Sequence, residues 1–265
     1  MICCPICKEP LTKQERSYRC VNNHCFDIAK QGYVNLLPVQ QKHSVAPGDS
    51  REQVIARRAF LSQGFYQPIA DALVQAARKN DAKGPILDIG CGEGYYSARL
   101  AEAIKCDLIG IDISKEAVRC AAAAYKAHTW LCATASHLPI PDSSVGTVTS
   151  LFSLTCPEEF HRCLIPGGTY IQIIAAEDHL RGLKSIIYPN LLEKEKETTP
   201  KFPGFSLISS SSIQFTFTAD GEQVQQLLSM TPHAHRITKD GAQRLAKTET
   251  LTDTASCILN VYKAI

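Results

Sequence analysis

Leu87-Asp88-Ile89-Gly90-Cys91-Gly92-Glu93-Gly94-Tyr95 puts three glycines at every second position, directly after a short apolar run and at the start of a helical pattern. A dinucleotide-binding turn would space them G-x-G-x-x-G, with a pyrophosphate on the helix N-terminus. The G-x-G-x-G spacing lets backbone amides approach a ligand without that group closely. Outward from this turn, β-rich runs alternate with amphipathic stretches. Strands are expected over residues 86–89, 108–111, 129–132, 145–151 and 170–174, and helices over 95–105, 115–127, 157–164 and 179–188. Apolar strands separated by helices indicate a parallel, doubly wound sheet buried on both faces. Residues 213–218 and 258–263 alternate in polarity around one helix, 221–230, and close the sheet with an antiparallel edge. Asp112 ends the second strand, where its carboxylate can accept both hydroxyls of a ribose. Upstream, Ser50 and Gln53 form a capping box for a helix through about Ser62 that carries Arg57 and Arg58; a second helix covers 67–79.

The 265 residues are 45% hydrophobic and 20% charged, with net charge +2. This composition excludes a disordered chain, a collagen and a supercharged nucleic-acid tail. Of the twelve cysteines, Cys3, Cys4, Cys7, Cys20 and Cys25 crowd into the first 25 residues. A secreted disulfide scaffold is a short chain with cysteines throughout, so local crowding points to a reduced compartment and a metal site at one end. Met1 opens no continuous apolar h-region, and no run of about 18 apolar residues occurs, so a cytoplasmic protein with no membrane partner is expected. Cys4-Pro5-Ile6-Cys7 and, twelve residues on, Cys20-Val21-Asn22-Asn23-His24 form two knuckles. Cys4, Cys7, Cys20 and His24 together make a closed tetrahedral zinc site, structural rather than catalytic, whose binding free energy folds the segment. Cys25 competes with His24 for the fourth position. Redox chemistry at Cys4 and Cys7 is the weaker alternative, because a thioredoxin-like pair lies beside a βαβ pattern and this one does not. Residues 1–58 carry +4 and the remainder −2, so the basic excess travels with the cysteines.

The 87–95 word and Asp112 resemble motif I and the acidic ribose loop of the class I S-adenosylmethionine-dependent methyltransferases. Ser136-His137-Leu138-Pro139-Ile140-Pro141-Asp142 is similar to the segment before their fourth strand, and Leu164-Ile165-Pro166-Gly167-Gly168 to their turn into the fifth. Thr134 departs from the pattern, standing where many members hold the adenine with an acid. The zinc knuckles, Gly32-Tyr33-Val34-Asn35-Leu36-Leu37-Pro38, Pro47-Gly48-Asp49, Ala56-Arg57-Arg58-Ala59-Phe60-Leu61 and Met230-Thr231-Pro232 extend the likeness over the whole chain. Together they resemble the RlmA family of large-subunit ribosomal RNA guanine-N1 methyltransferases. That resemblance implies an α/β, Rossmann-like class I methyltransferase fold. Its seven-stranded, mostly parallel sheet has an antiparallel edge strand and is preceded by a small zinc-ribbon domain. The expected divisions are a ribbon at 1–34, a connector and helix at 35–65 and the methyltransferase domain at 66–265. The resemblance further implies S-adenosylmethionine as methyl donor, structural zinc, a guanine in a 23S rRNA hairpin as target, a ribbon that grips RNA, and homodimerisation. Carried over by position, Tyr66, Asp88, Gly90, Gly92, Gly94, Tyr96, Ser97, Asp112 and His179 bind the cofactor, with Asp88 at the methionine end; an aspartate capping the glycine turn is the plainer reading of Asp88. Arg57 and Arg58 are candidates for phosphate contact or a wet helix face.

Guanine carries a proton on N1, so a general base would assist. Asp142, Glu177 and Asp178 are expected near the sheet mouth, and nothing selects one. Two rivals involve other chemistry. Cys156 follows the fourth strand, where a cysteine attacks the ring in pyrimidine C5 methyltransferases; alternatively, the chain is a non-catalytic zinc and RNA-binding protein. An exocyclic-amino methyltransferase is disfavoured because Ser153-Leu154-Thr155-Cys156 stands where an Asp/Asn-Pro-Pro-Tyr/Phe word would. Small-molecule methylation would leave the zinc module without a role. Glu193-Lys194-Glu195-Lys196-Glu197 reads as a solvated loop within a lid over 189–211.

Overall fold

A computed structural model describes residues 2–42, 44, 46–191 and 197–265; the charge run at 193–196 lies outside them. The N-terminal unit is three short strands, β1 (Thr12–Lys13), β2 (Ser17–Arg19) and β3 (Cys25–Asp27), paired antiparallel in that order. Strands this short make few ladder hydrogen bonds, so cross-links must hold the unit. It is seated on the rest of the protein: the Cys3 amide donates to Pro139 O at 2.8 Å, and Ile2, Cys4, Leu11 and Cys20 share one buried cluster with Leu131, Leu138 and Ile140.

The chain continues through β4 (Val34–Asn35), α1 (Arg51–Ser62), α2 (Gln67–Lys79), β5 (Ile86–Ile89), α3 (Tyr95–Ile104), β6 (Leu108–Asp112), α4 (Lys115–Ala124), β7 (Thr129–Cys132) and β8 (Val145–Leu151). It ends with α5 (Pro157–Cys163), β9 (Leu164–Ala175), α6 (Arg181–Ile187), β10 (Phe205–Asp220), α7 (Gly221–Ser229), α8 (Lys239–Ala246) and β11 (Thr250–Ala264). One sheet orders its strands β10-β11-β9-β8-β5-β6-β7-β4. The expected seven are β5 to β11. The eighth is β4, which pairs parallel with β7 through Val34↔Leu131 and Asn35↔Cys132 and so carries the connector onto the sheet edge. The reversed strand is β11, antiparallel to both β9 and β10. The antiparallel strand expected at the edge is therefore the penultimate one, and β10 forms the edge.

Strands β5 and β8 are buried along their whole length, as parallel strands covered by helices on both faces must be. The chain leaves β5 for β6 on one side, while β8 pairs on the other. That change of direction is a topological switch point, where a crevice opens at the carboxyl ends of the strands. The capping box of α1 is reciprocal, with Gln53 N donating to Ser50 Oγ at 3.3 Å and Ser50 N to Gln53 Oε1 at 2.9 Å. Strand β9 begins before the expected residue 170 because its register with β8 shifts between Val145 and Thr147, accommodating the Pro166-Gly167-Gly168 turn as a bulge. Residues 205–211, read as part of a lid, belong to β10. Among the described residues no helix is long and apolar enough to cross a membrane.

Candidate active site and metal centre

The two knuckles converge. The ligand atoms of Cys4, Cys7, Cys20 and His24 all lie within 4.8 Å of one another. Cys4 Sγ and Cys20 Sγ stand 3.5 and 3.4 Å from His24 Nδ1, and Cys7 Sγ stands 3.7 Å from Cys20 Sγ. Tetrahedral zinc, with Zn–S of about 2.3 Å and Zn–N of about 2.0 Å, requires S···S near ~3.8 Å and S···N near ~3.5 Å, so this donor set fits the ion. Cys25 is exposed on β3 and outside the cluster, and Cys3 is buried beside it without joining.

At the switch point a cavity of about 1280 Å³ is lined by Tyr66, Asp88, Gly90, Gly92, Tyr96, Asp112 and His179, seven of the nine residues expected to hold the cofactor. The glycine turn explains their convergence. Gly90 (φ +72°) packs so closely on Ser153 that a Cβ would overlap its side chain, and Ser153 Oγ donates to Ile89 O at 2.7 Å. Gly92 N donates to Asp112 Oδ2 at 2.9 Å, while Ser114 N donates to Asp112 Oδ1 at 2.8 Å. Two amides thus orient the Asp112 carboxylate, and its remaining lone pairs are available to a ligand.

Gly94 and Ser97 stand behind the cavity. A Cβ on Gly94 (φ +85°) would come within 2.7 Å of Trp130 Cη2 and 3.0 Å of Tyr125, so this glycine packs α3 against the sheet. Gly94→Ala is expected to lower stability by about 2–5 kcal/mol, combining left-handed backbone strain of ~1–2 with overpacking of ~1–3. Denaturant unfolding measures this, and a change below ~0.5 kcal/mol, the range of an ordinary surface substitution, contradicts the packing role.

Three carboxylates crowd the turn. Thr149 Oγ1 donates to Asp88 Oδ1 at 2.5 Å. Burial nonetheless pushes the Asp88 carboxyl up to about 6, the hydroxyls of Thr149 and Ser97 only partly opposing it. Burial also raises Glu93 and Asp112, and the Arg57 charge pulls each back. Arg57 is ion-paired with Asp49, donates to Met230 O at 3.4 Å and faces Gly92 across the cavity wall. Arg58 is exposed and outside that lining. The Tyr66 hydroxyl and Glu93 Oε2 are buried and have no hydrogen-bond partner among the described residues, and both residues line the cavity. Buried polar atoms left unpaired are costly and uncommon. Two in one cavity fit a polar ligand seated there, in agreement with the Asp112 cradle.

The remaining candidates are placed as follows. His179 Nδ1 lies 2.9 Å from Ser256 O, which anchors the ring to β11. Asp142 has a 78% exposed side chain ion-paired with Arg162 at 2.7 Å, and both it and Asp178 lie outside the cavity lining, which Glu177 joins. Cys156 is also outside the lining, and burial together with Glu159 raises its thiol, opposite to what a thiolate nucleophile needs. Sequence reasoning missed Glu93, hidden between two glycines, and Phe152, which ends the β8 approach to the cavity.

The order β7-β6-β5-β8-β9-β11-β10 with β11 reversed, the glycine turn after β5 and the acid ending β6 define a class I S-adenosylmethionine-dependent methyltransferase. The chain matches the methyltransferase-domain family over residues 86–168 and the RlmA N-terminal zinc ribbon over 2–45. It is 31% identical over 253 residues to the 23S rRNA (guanine(748)-N(1))-methyltransferase of Streptomyces fradiae, covering 92% of this chain and 89% of that protein. It is 29% identical over 255 residues to YxjB of Bacillus subtilis (strain 168), covering 91% and 89%. The chain belongs to the RlmA family of 23S rRNA (guanine-N1-)-methyltransferases, zinc-ribbon proteins that use S-adenosylmethionine.

Proposed function

We propose that this protein methylates N1 of one guanine in a hairpin of 23S rRNA, with S-adenosylmethionine held over the glycine turn. The observation that carries this reading is the coincidence, in one cavity, of the Asp112 cradle with the unpaired Tyr66 hydroxyl and Glu93 carboxylate. When bound, S-adenosylmethionine supplies an activated methyl group on its sulfonium. Asp112 accepts from the ribose hydroxyls, and Asp88 takes the methionine end. Gly90 and Gly92 admit the ligand to the backbone, and Tyr66, Tyr96 and His179 enclose it. Gly94 and Ser97 support the turn from behind. Holding donor and acceptor in line supplies much of the acceleration, which suits a site where no base is assigned to the N1 proton.

The target enters as an unpaired base, since single-stranded loops expose the Watson–Crick edge and a base must leave its stack to reach an enclosed donor. The basic excess of residues 1–58 gives the ribbon and connector an attraction for phosphate. A dimeric assembly belongs to the same proposal.

Incubation with unmodified 23S rRNA and labelled S-adenosylmethionine, followed by mass mapping, is expected to place the label on guanine N1; label on a pyrimidine, or none, overturns the reading. Asp112→Ala is expected to lower S-adenosylmethionine affinity by about 1–3 kcal/mol, the loss of hydrogen bonds to a charged group. Calorimetry measures it, and unchanged affinity removes Asp112 from the ribose position.

A further inference from the structure

We propose that Phe152 is the platform on which the target guanine stacks, an inference that rests on the rRNA reading above. Seven described residues other than glycine have positive φ, and Phe152 (φ +53°) is the aromatic one among them. A left-handed conformation is unfavourable for a bulky side chain and persists where surrounding contacts impose it, commonly at a functional site. The contacts here are specific. Phe152 N donates to Ile173 O at 2.9 Å, and the next residue is locked by the Ser153 hydroxyl on Ile89 O and by the close approach of Gly90. A second such residue, Leu180 (φ +53°), lines the same cavity beside His179.

The outcome is a ring held away from the core: Phe152 is 43% exposed, and Leu154, two residues on, is 69% exposed. The ring centroid lies 5.9 Å from that of His179 with 33° between the planes, so the two form one aromatic wall. The cavity runs without interruption from Asp112 and Gly92 past Asp88 and Gly90 to Phe152 and Leu154. Its 1280 Å³ exceeds the roughly 300–1,000 Å³ of a site for one drug-sized ligand. There is room for a planar group beside the cofactor, and the wall facing that room is aromatic. An extruded purine offers a π-face to such a surface, and stacking of this kind retains an unpaired base without reading its edge, which stays available for reaction.

Methyl transfer to unmodified 23S rRNA by Phe152→Ala and Phe152→Leu is expected to fall roughly 5- to 150-fold in kcat/KM, the usual consequence of removing one base–aromatic stack. Phe152→Tyr retains activity, and calorimetric S-adenosylmethionine affinity stays unchanged in all three. In Phe152→Trp, the added indole is expected to be quenched by the rRNA in the presence of S-adenosylhomocysteine, whereas the native Trp130, 1% exposed, responds little in the unsubstituted protein. Full activity in the Leu variant, or an equal loss of cofactor affinity, overturns the platform while leaving the guanine reading standing. Absence of guanine label with the unsubstituted protein overturns both.

Discussion

Cys20→Ala is expected to release the zinc, unfold the N-terminal ribbon and destabilise the whole chain. The three ribbon strands contain only two or three residues each, too few to fold on ladder hydrogen bonds. Binding free energies of about 10–16 kcal/mol for small zinc modules are folding free energies, so losing one ligand of four removes the main term. Damage does not stop at the ribbon, because Ile2, Leu11 and Cys20 cover Leu131, Leu138 and Ile140 of the methyltransferase core. Exposing such side chains costs about 1.5–3 kcal/mol each. Elemental analysis should find about one zinc per chain in the unsubstituted protein and none in the variant, with a lower thermal midpoint that a strong chelator reproduces. Cys25→Ala, outside the cluster, should keep both zinc and midpoint. A metal-free protein with an unchanged midpoint sinks the structural role.

Legibility of the fold in the sequence follows where the deciding interactions lie. Strands β5, β7 and β8 and helix α2 have the boundaries that local pattern and composition indicate, because buried parallel strands are continuously apolar and helix ends carry their own caps. Strand β4 is two residues long; only its pairing with Leu131 and Cys132 makes it a strand, and no periodicity can be read from two residues. Helix α8 is not legible in the sequence because Gly241 and Leu245 are its buried positions, leaving no apolar stripe, although Thr238 caps it by accepting from Gly241 N at 3.0 Å. The serines at 209–212 hide the true length of β10, whose pairing with β11 runs from Asp220↔Thr250 to Phe205↔Ala264 with one register shift between Leu207 and Ser209.

The site divides in the same way. Spacing of the glycines and the position of Asp112 carry the cofactor end, since both are fixed by local backbone requirements. Spacing does not show which glycine faces the ligand: Gly94 differs from Gly90 and Gly92 through its close approach to Tyr125 and to Trp130, the latter 36 residues along the chain. Arg57 and Arg58 are equivalent in sequence, and only the docking of the Gly48-Asp49 connector on Ser114, whose Oγ donates to Asp49 O at 2.7 Å, brings Arg57 to the cavity.

Asp88→Asn is expected to move stability and cofactor affinity in opposite directions. Asp88 is 3% exposed, and burial raises its carboxyl from the ordinary 3.8 to about 6. The folded state therefore holds the proton more tightly than the unfolded chain. Stability is free of this penalty below pH ~3.8, falls as pH rises through the interval to about 6, and above that carries a constant loss. About two pKa units at ~1.4 kcal/mol each make that loss on the order of 3 kcal/mol. Asparagine can still accept from Thr149 and never ionises, so in the absence of cofactor the variant should be more stable by roughly 2–3 kcal/mol at pH 8, with the gap narrowing towards pH 4.5. A charged Asp88 is nevertheless what the proposed placement of the S-adenosylmethionine ammonium group beside it requires. Removing a hydrogen bond between charged partners costs about 1.5–3 kcal/mol, a loss of roughly 10- to 150-fold in calorimetric affinity at ~1.4 kcal/mol per tenfold. Denaturant unfolding at the two pH values separates the cases. A variant less stable at both contradicts the burial penalty, and unchanged affinity removes Asp88 from the methionine end. In the proposed placement of the methionine end, the stability that the native aspartate forgoes at neutral pH would be recovered when the cation binds, and this buried charge would then belong to the ligand site rather than to the fold.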